Sequence, residues 1–201
     1  PDLDNIPLNN INKKTHQINN RIQEVYLLGP SDKLLIKLYK EIDQDFSGEY
    51  IILNDGTINM PFVESVYIKG LTIKQAKEKI EKRLSSELIR PEIYIKLVKS
   101  RASKISMLGE LQNPGLYIIN TSKTVQNSVG TFISKDFGFP TLIEAIKEAG
   151  GVSNGSNLRE IKLTRKISED PLITKEYNIN LIDLLIKGDQ TQNPYLFDGD
   201  I

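Results

Sequence analysis

Two stretches of the sequence open with the same four-residue device. Thr72 is followed three residues later by Gln75, and Thr141 by Glu144, each just ahead of an apolar repeat of helical period. In such a capping box the Thr hydroxyl accepts from the backbone amide three residues on, and that residue's side chain reaches back to the Thr amide. Each pair fixes where a helix starts, and the flanking segments say what it packs on. Strand-type runs lie on both sides of "LTIKQAKEKIEKRLSSEL" and again on both sides of "TLIEAIKEAGG". A helix set among strands, occurring twice, predicts an α+β fold of two small units.

Residues 1–24 are rich in Asn, Lys and Asp without a sustained period, and read as a polar lead-in. In the first unit, 25–100, "LLIKLYK" (34–40) alternates as a strand. "YIIL", Asn54-Asp55-Gly56 and "TINMPF" read as a hairpin, because Asp-Gly supplies the positive φ that a tight turn between strands requires. "VESVYIKG" adds a strand ending at Gly70. The helix that Thr72 caps carries Ile73, Ala76, Ile80, Leu84 and Leu88 as one stripe, Pro91 lies just beyond it, and "EIYIKLV" closes the unit as a strand. The boundary falls near 100–104. In the second unit, 101–201, "KISMLGEL" and "LYIIN" form strands about an Asn113-Pro114-Gly115 turn. Residues 121–140 read as a long irregular loop. The second helix is closed by Gly150 and Gly151, "REIKLTRK" and "KEYNINL" read as strands, and "LIDLLIKGD" as a helical turn stopped by Gly188. "NPYLFDGDI" stops as a strand begins and the chain starts at Pro, so it reads as part of a longer protein.

Composition narrows the function. Lys and Arg number 26 against 26 Asp and Glu, a formal charge of zero, so no basic excess points to nucleic acid. There is no cysteine, which removes disulfides, thiolate chemistry and Cys-ligated zinc. No apolar run approaches the roughly 20 residues of a membrane helix. "PDLDNIPLNN" has neither the basic nor the apolar region of a signal peptide.

Candidate chemistry is sparse. Asp43, Asp45, Ser47 and Gly48 match positions of a calcium loop, but the bidentate acid such a loop needs is replaced by Asn54, and the flank is strand-like. Turn chemistry accounts for the same residues, and no metal or cofactor is expected. His16 is the only histidine and sits in the lead-in, so a Ser-His-Asp arrangement has no base. No phosphate-binding glycine loop follows a strand. The carboxylate pairs Glu41/Asp43 and Glu169/Asp170 lie in polar connections. Tyr50, Tyr67, Tyr94 and Tyr117 fall within strand patterns, where packing explains aromatics. The expectation is a protein that is not an enzyme.

Taken in order, the punctuating residues resemble the Wza-type family of outer-membrane polysaccharide exporters. In the first unit Gly29-Pro30, Asp32, Ser47-Gly48, Tyr50, Asp55-Gly56, Pro61, Gly70-Leu71-Thr72, Ala76 and Pro91 resemble its polysaccharide export domain. In the second, Gly109-Glu110, Asn113-Pro114-Gly115, Tyr117, Glu144-Ala145, Ala149-Gly150-Gly151 and Asp198-Gly199-Asp200 resemble its soluble-ligand-binding β-grasp (SLBB) domain. The sequence departs from the family at Ser31, where a glycine is usual, so the turn there is expected to avoid a glycine-only φ. The loop over 120–140 looks longer than usual. A second β-grasp repeat, a C-terminal amphipathic helix and a lipidated N-terminal cysteine have no counterpart in these residues.

The resemblance implies the periplasmic portion of a capsule or exopolysaccharide export protein. Its partners would be itself in a ring homo-oligomer, an inner-membrane copolymerase that regulates chain length, the polysaccharide, and the outer membrane through segments not in this sequence. The family's motif residues are then structural, not catalytic. These 201 residues alone are expected to be monomeric or loosely associated. The competing readings are a periplasmic glycan- or small-ligand-binding module without a pore of its own, and an enzyme acting on polysaccharide.

Overall fold

The computed structural model describes residues 26–39, 46–61, 63–120, 122–126, 132–136 and 138–201, with side chains outside 122–126 and 132–136. The lead-in, His16, Glu41, Asp43 and Asp45 lie outside the described residues. The fold is α+β in two compact units, one built on Leu34–Lys96, the other on Leu97–Ile201 together with Ser31–Lys33.

In the first unit β1 (Lys33–Leu38) is the centre of a three-stranded sheet between β2 (Gly48–Ile51) and β5 (Ile93–Lys99). Strand alternation puts Leu34 and Ile36 of β1, with Ile93 and Ile95 of β5, into the core. A second sheet pairs β3 (Thr57–Met60) with β4 (Val63–Tyr67). Helix α1 (Ile73–Leu84) packs beside β4 and buries Ile73, Ala76, Ile80 and Leu84. Full burial of Ile80 and Leu84 stabilises the unit by roughly 1.5–3 kcal/mol each. Both halves of the capping box form: Gln75 N donates to Thr72 Oγ1 at 3.2 Å, and Thr72 N donates to Gln75 Oε1 at 2.9 Å. The predicted stripe runs one turn too far. The Ser85 and Ser86 hydroxyls donate to the Glu81 and Arg83 carbonyls, and this competition ends the helix at Leu84, leaving Leu88 half-buried beyond it.

The turn at 54–56 forms, with Leu53 N donating to Thr57 O at 2.8 Å. The predicted hairpin does not, because β2 pairs with β1 and β3 with β4. Gly56 explains the divergence: its carbonyl accepts from Ile68 N and Lys69 N, which ties the turn to the end of β4 rather than to a β2–β3 ladder. The Thr57 hydroxyl and then the Thr57 amide hold the Asp55 carboxyl below its usual range. That preference favours the native turn above the ordinary carboxylate pKa and fades as pH falls through the depressed value.

A small device is used once in each unit. Tyr50 folds back so that its hydroxyl donates to the Phe46 carbonyl, four residues earlier, at 2.6 Å; Tyr117 does the same to Asn113 at 2.5 Å. Between tyrosine and carbonyl stand Gly48 and Gly115, over which the rings lie. A Cβ on either glycine would meet the ring at 4.0 Å, ordinary contact, and neither has a positive φ. Gly48→Ala and Gly115→Ala are therefore expected to change stability by less than about 1 kcal/mol, on the stabilising side through reduced freedom of the unfolded chain. Thermal unfolding followed by circular dichroism checks this; a clear drop in Tm for either variant would contradict it.

In the second unit β6 (Ser103–Met107) and β7 (Gly115–Ile119) form the predicted hairpin, registered from Ser103↔Ile119 to Met107↔Gly115. The stretch expected as a long irregular loop is instead a hairpin of β8 (Ser122–Gln126) and β9 (Phe132–Asp136). Its two strands are short and mostly polar, so main-chain pairing shapes them without the apolar alternation that marks a buried strand. Helix α2 (Leu142–Glu148) starts at its capping box, Thr141 N donating to Glu144 Oε2 at 2.8 Å. After it come the hairpin of β10 (Ile161–Glu169) with β11 (Leu172–Ile179) and helix α3 (Leu181–Lys187), which stops at Gly188 as expected.

Residues 199–201 join the two ladders. Gly199 N donates to Lys104 O and Ser106 N to Asp200 O, while Thr164 and Ile201 exchange both backbone bonds at 2.8 and 3.0 Å. The segment thus runs with β6 and against β10, and the order β7–β6–(199–201)–β10–β11 is that of a β-grasp sheet. Ile105, Met107, Leu142, Ala145, Ala149, Leu163, Ile179 and Leu196 form the core of this unit.

Candidate functional site

Three motif aspartates, Asp32, Asp198 and Asp200, meet two arginines of the second unit. Asp32 is fully buried, and a carboxylate out of water is tolerable only with several donors. Arg101 provides two, its backbone amide to Oδ1 and its Nη1 to Oδ2, both at 2.8 Å. The Arg101 Nε donates to Asp198 Oδ2 at 2.9 Å, and Asp198 Oδ1 accepts from Lys104 N. Two residues on, Asp200 is 1% exposed and takes the Nε and Nη2 of Arg165, itself 8% exposed, as a fork. Phe197 N donates to the same carboxylate at 2.8 Å, and Arg165 Nη2 also donates to Tyr195 O. The Arg165 guanidinium carbon lies 4.2 Å over the Phe197 ring, which packs edge-on against Phe139. Asp198 and Asp200, flanking Gly199, thus reach different arginines. Planar forks suit such bidentate, stacked sites where a lysine does not.

Neither arginine was among the residues that sequence reasoning singled out. For Arg165 a signal was present: it follows Ile161 and Leu163 at the inward period of β10. For Arg101 the only hint is its type, one of 6 arginines in a chain with 20 lysines.

The structure places the other motif residues as turns, caps and packing points. Leu28 N donates to Leu71 O and Gly70 N to Leu28 O, so the segment before Gly29-Pro30 pairs with the entry to the Thr72 cap. Ser31 overturns the expectation from its side chain, since its φ is +74°. A non-glycine residue in that region costs about 1–2 kcal/mol, and the bonds that hold the adjacent Asp32 keep the turn in place. Ser47 Oγ accepts from Leu38 N at 3.4 Å. Pro61 is exposed between β3 and β4, and Pro91 precedes β5. Gly109, Gly150, Gly151 and Gly199 occupy positive-φ turns, Pro114 leads into β7, and Ala149 is fully buried. Glu110 accepts the Ser153 hydroxyl on its side chain at 2.7 Å and the Ser156 hydroxyl on its carbonyl at 2.6 Å, pinning the 153–156 turn.

A groove of about 490 Å³ opens in the second unit between the end of β6 and the start of β10, walled by Met107, Leu111, Leu142, Ile146, Ile161 and Ile201. Among the described residues no three His, Asp or Glu side chains gather as a metal-holding set. No described helix is long and apolar enough to cross a membrane.

Comparison with known proteins agrees with the order of the motifs. Residues 20–98 match the polysaccharide biosynthesis/export protein family, and residues 137–201 match the SLBB domain family. Over 154 residues the chain is 23% identical to the EPS I polysaccharide export outer membrane protein EpsA of Ralstonia solanacearum. That alignment takes in 76% of this chain and 34% of the relative, so the chain spans about a third of that protein's length. An export-family segment followed by an SLBB segment, with this relative alongside, supports the Wza-type family of polysaccharide export proteins.

Proposed function

We propose that this chain is the periplasmic portion of a capsule or exopolysaccharide export protein. Copies of the full protein form a ring around the path of the polymer, toward and across the outer membrane, and meet an inner-membrane copolymerase. Residues 25–100 serve as the export domain and 101–201 as the SLBB domain. The β6–β7 hairpin lies outside the SLBB match, but its bonding to residues 199–201 supports including it. The observation that carries the proposal is the export and SLBB matches in series along one chain. A passive conduit needs shape and assembly rather than a nucleophile, and the motif aspartates are accordingly spent on holding loops. In-frame deletion of residues 25–201 from the parent protein is expected to abolish surface polysaccharide and leave polymer in the periplasm. Undiminished surface polysaccharide would overturn the proposal.

The apolar groove of the second unit favours one other reading, a glycan- or small-ligand-binding module. In that case export persists in the deletion strain, and soluble oligosaccharides perturb the groove residues in an NMR titration.

A further inference from the structure

The three-stranded sheet of the first unit has one face on the core and one in solvent. On the solvent face Tyr39, one residue past β1, meets Tyr94 of β5 edge to face, the ring centroids 6.5 Å apart at 85°. The two are 55% and 41% exposed, and Tyr39 N donates to Glu92 O at 2.8 Å, fixing the strands beside each other there. Lys37 and Lys96, each two residues from one of these tyrosines, share that face by strand alternation and are exposed. Lys77, Lys166 and Lys187 pair with acids on their own helix or strand. Neither Lys37 nor Lys96 forms an ion pair among the described residues. Two exposed acids border this face, Glu49 of β2, two residues before the half-exposed Ile51, and Glu92, two residues before Tyr94.

We propose that Tyr39, Tyr94, Lys37 and Lys96 form a contact site for an anionic polysaccharide whose sugar rings lie against the tyrosines while its carboxylates meet the lysines. Charge complementarity selects this occupant. A second copy docking face to face would take four ammonium groups out of water without fixed partners, and desolvated charge lacking a well-placed counter-charge is disfavoured. An acidic polymer instead brings opposite charge to both lysines while each stays at the surface. Perpendicular tyrosines leave one ring face open beside an edge, a ledge for the apolar face of a sugar, with hydroxyls free to turn toward its oxygens.

That the polymer is a polysaccharide rests on the proposed export function; that it is acidic rests on the lysines. The test is an NMR and calorimetric titration of the full 201-residue chain with a short oligogalacturonate, beside a neutral oligogalactan of equal length. Saturable binding of the acidic probe is expected, with shifts centred on Tyr39 and Tyr94 and strong weakening at high salt. The pair Lys37→Ala and Lys96→Ala should weaken it about tenfold, while Lys37→Arg with Lys96→Arg retains it, because two exposed charge contacts each contribute only modestly. Tyr39→Ala with Tyr94→Ala should weaken both probes, and unchanged amide spectra away from the site show that each variant folds.

No binding of the acidic probe overturns the proposal, as does binding untouched by these changes. So does a concentration-dependent dimer, seen by sedimentation, that Tyr94→Ala dissolves, since the face is then an interface between copies. The outcomes separate from those of the deletion: normal export with intact probe binding removes the export function and keeps the site, and lost export without probe binding does the reverse.

Discussion

Asp200→Ala is expected to destabilise the second unit by about 3–5 kcal/mol, because it leaves the Arg165 guanidinium buried without its counter-charge. The effect should exceed the ordinary loss of one hydrogen bond for two reasons visible in the geometry. Asp200 also holds Phe197 N, so removing it frees the Leu196–Phe197 stretch that packs beside α2. Arg165 is enclosed by the Tyr195 carbonyl and the Phe197 ring, so it has no rotamer that reaches water without opening that contact. Arg165→Met alone should be comparably harmful, stranding the carboxylate. Arg165→Met combined with Asp200→Leu should be far milder, since replacing both members of a buried pair with apolar groups is often near neutral. With two units, a single unfolding transition is not assumed. Urea titration followed at the methyl groups of Ile105 and Leu163 isolates the second unit. An Asp200→Ala loss under about 1 kcal/mol would show that water reaches the arginine and that the pair is not a buried staple.

The second large effect is expected at Gly56. A Cβ there would sit 2.6 Å from Lys69 Cβ and 2.8 Å from Tyr67 Cε2, and the residue's φ is +86°. Gly56→Ala thus adds left-handed strain of about 1–2 kcal/mol to a steric conflict of about 1–3 kcal/mol, giving roughly 3 kcal/mol in all. Relief requires the turn to pull away from the end of β4 and break the Ile68 and Lys69 bonds to its carbonyl. Urea unfolding read at Ile58 and Ile80 tests this. A change as small as that expected for Gly48→Ala would mean the turn shifts without resistance.

These two glycines belong to one run of motif residues, and the sequence alone does not tell them apart. Asp55-Gly56 announces a turn correctly, yet its partner is chosen by a backbone carbonyl that reaches 12 residues ahead to Ile68, beyond local pattern. The capping boxes were fully legible, because both partners lie within four residues. The β6–β7 ladder was legible from its turn and alternation. The β8–β9 hairpin was not, since polar strands carry no periodic signature. Ser31 misled for a different reason: side-chain preference pointed away from positive φ, and a buried carboxylate next door outweighed it. The aspartates were visible as motif members while their arginines were not, since Asp32 and Arg101 are 69 residues apart and Asp200 and Arg165 are 35. Of the exposed tyrosine pair, Tyr94 was read as packing, which strand propensity favours, and Tyr39 was passed over, because exposure depends on which face of the sheet goes uncovered.

The strap formed by residues 199–201 has a consequence for how the second unit is made. Its two hairpins are each local and can zip early, but the strand between them follows both in the chain. The contacts of Ser106 with Asp200 span 94 residues, so closing the sheet carries a large loop-entropy cost and is expected to be slow. Until then the inner edges of β6 and β10 are unpaired, the kind of exposed edge that recruits foreign strands. In the proposed ring, that interval sets an order of events: each chain must seal its own sheet before its neighbours arrive.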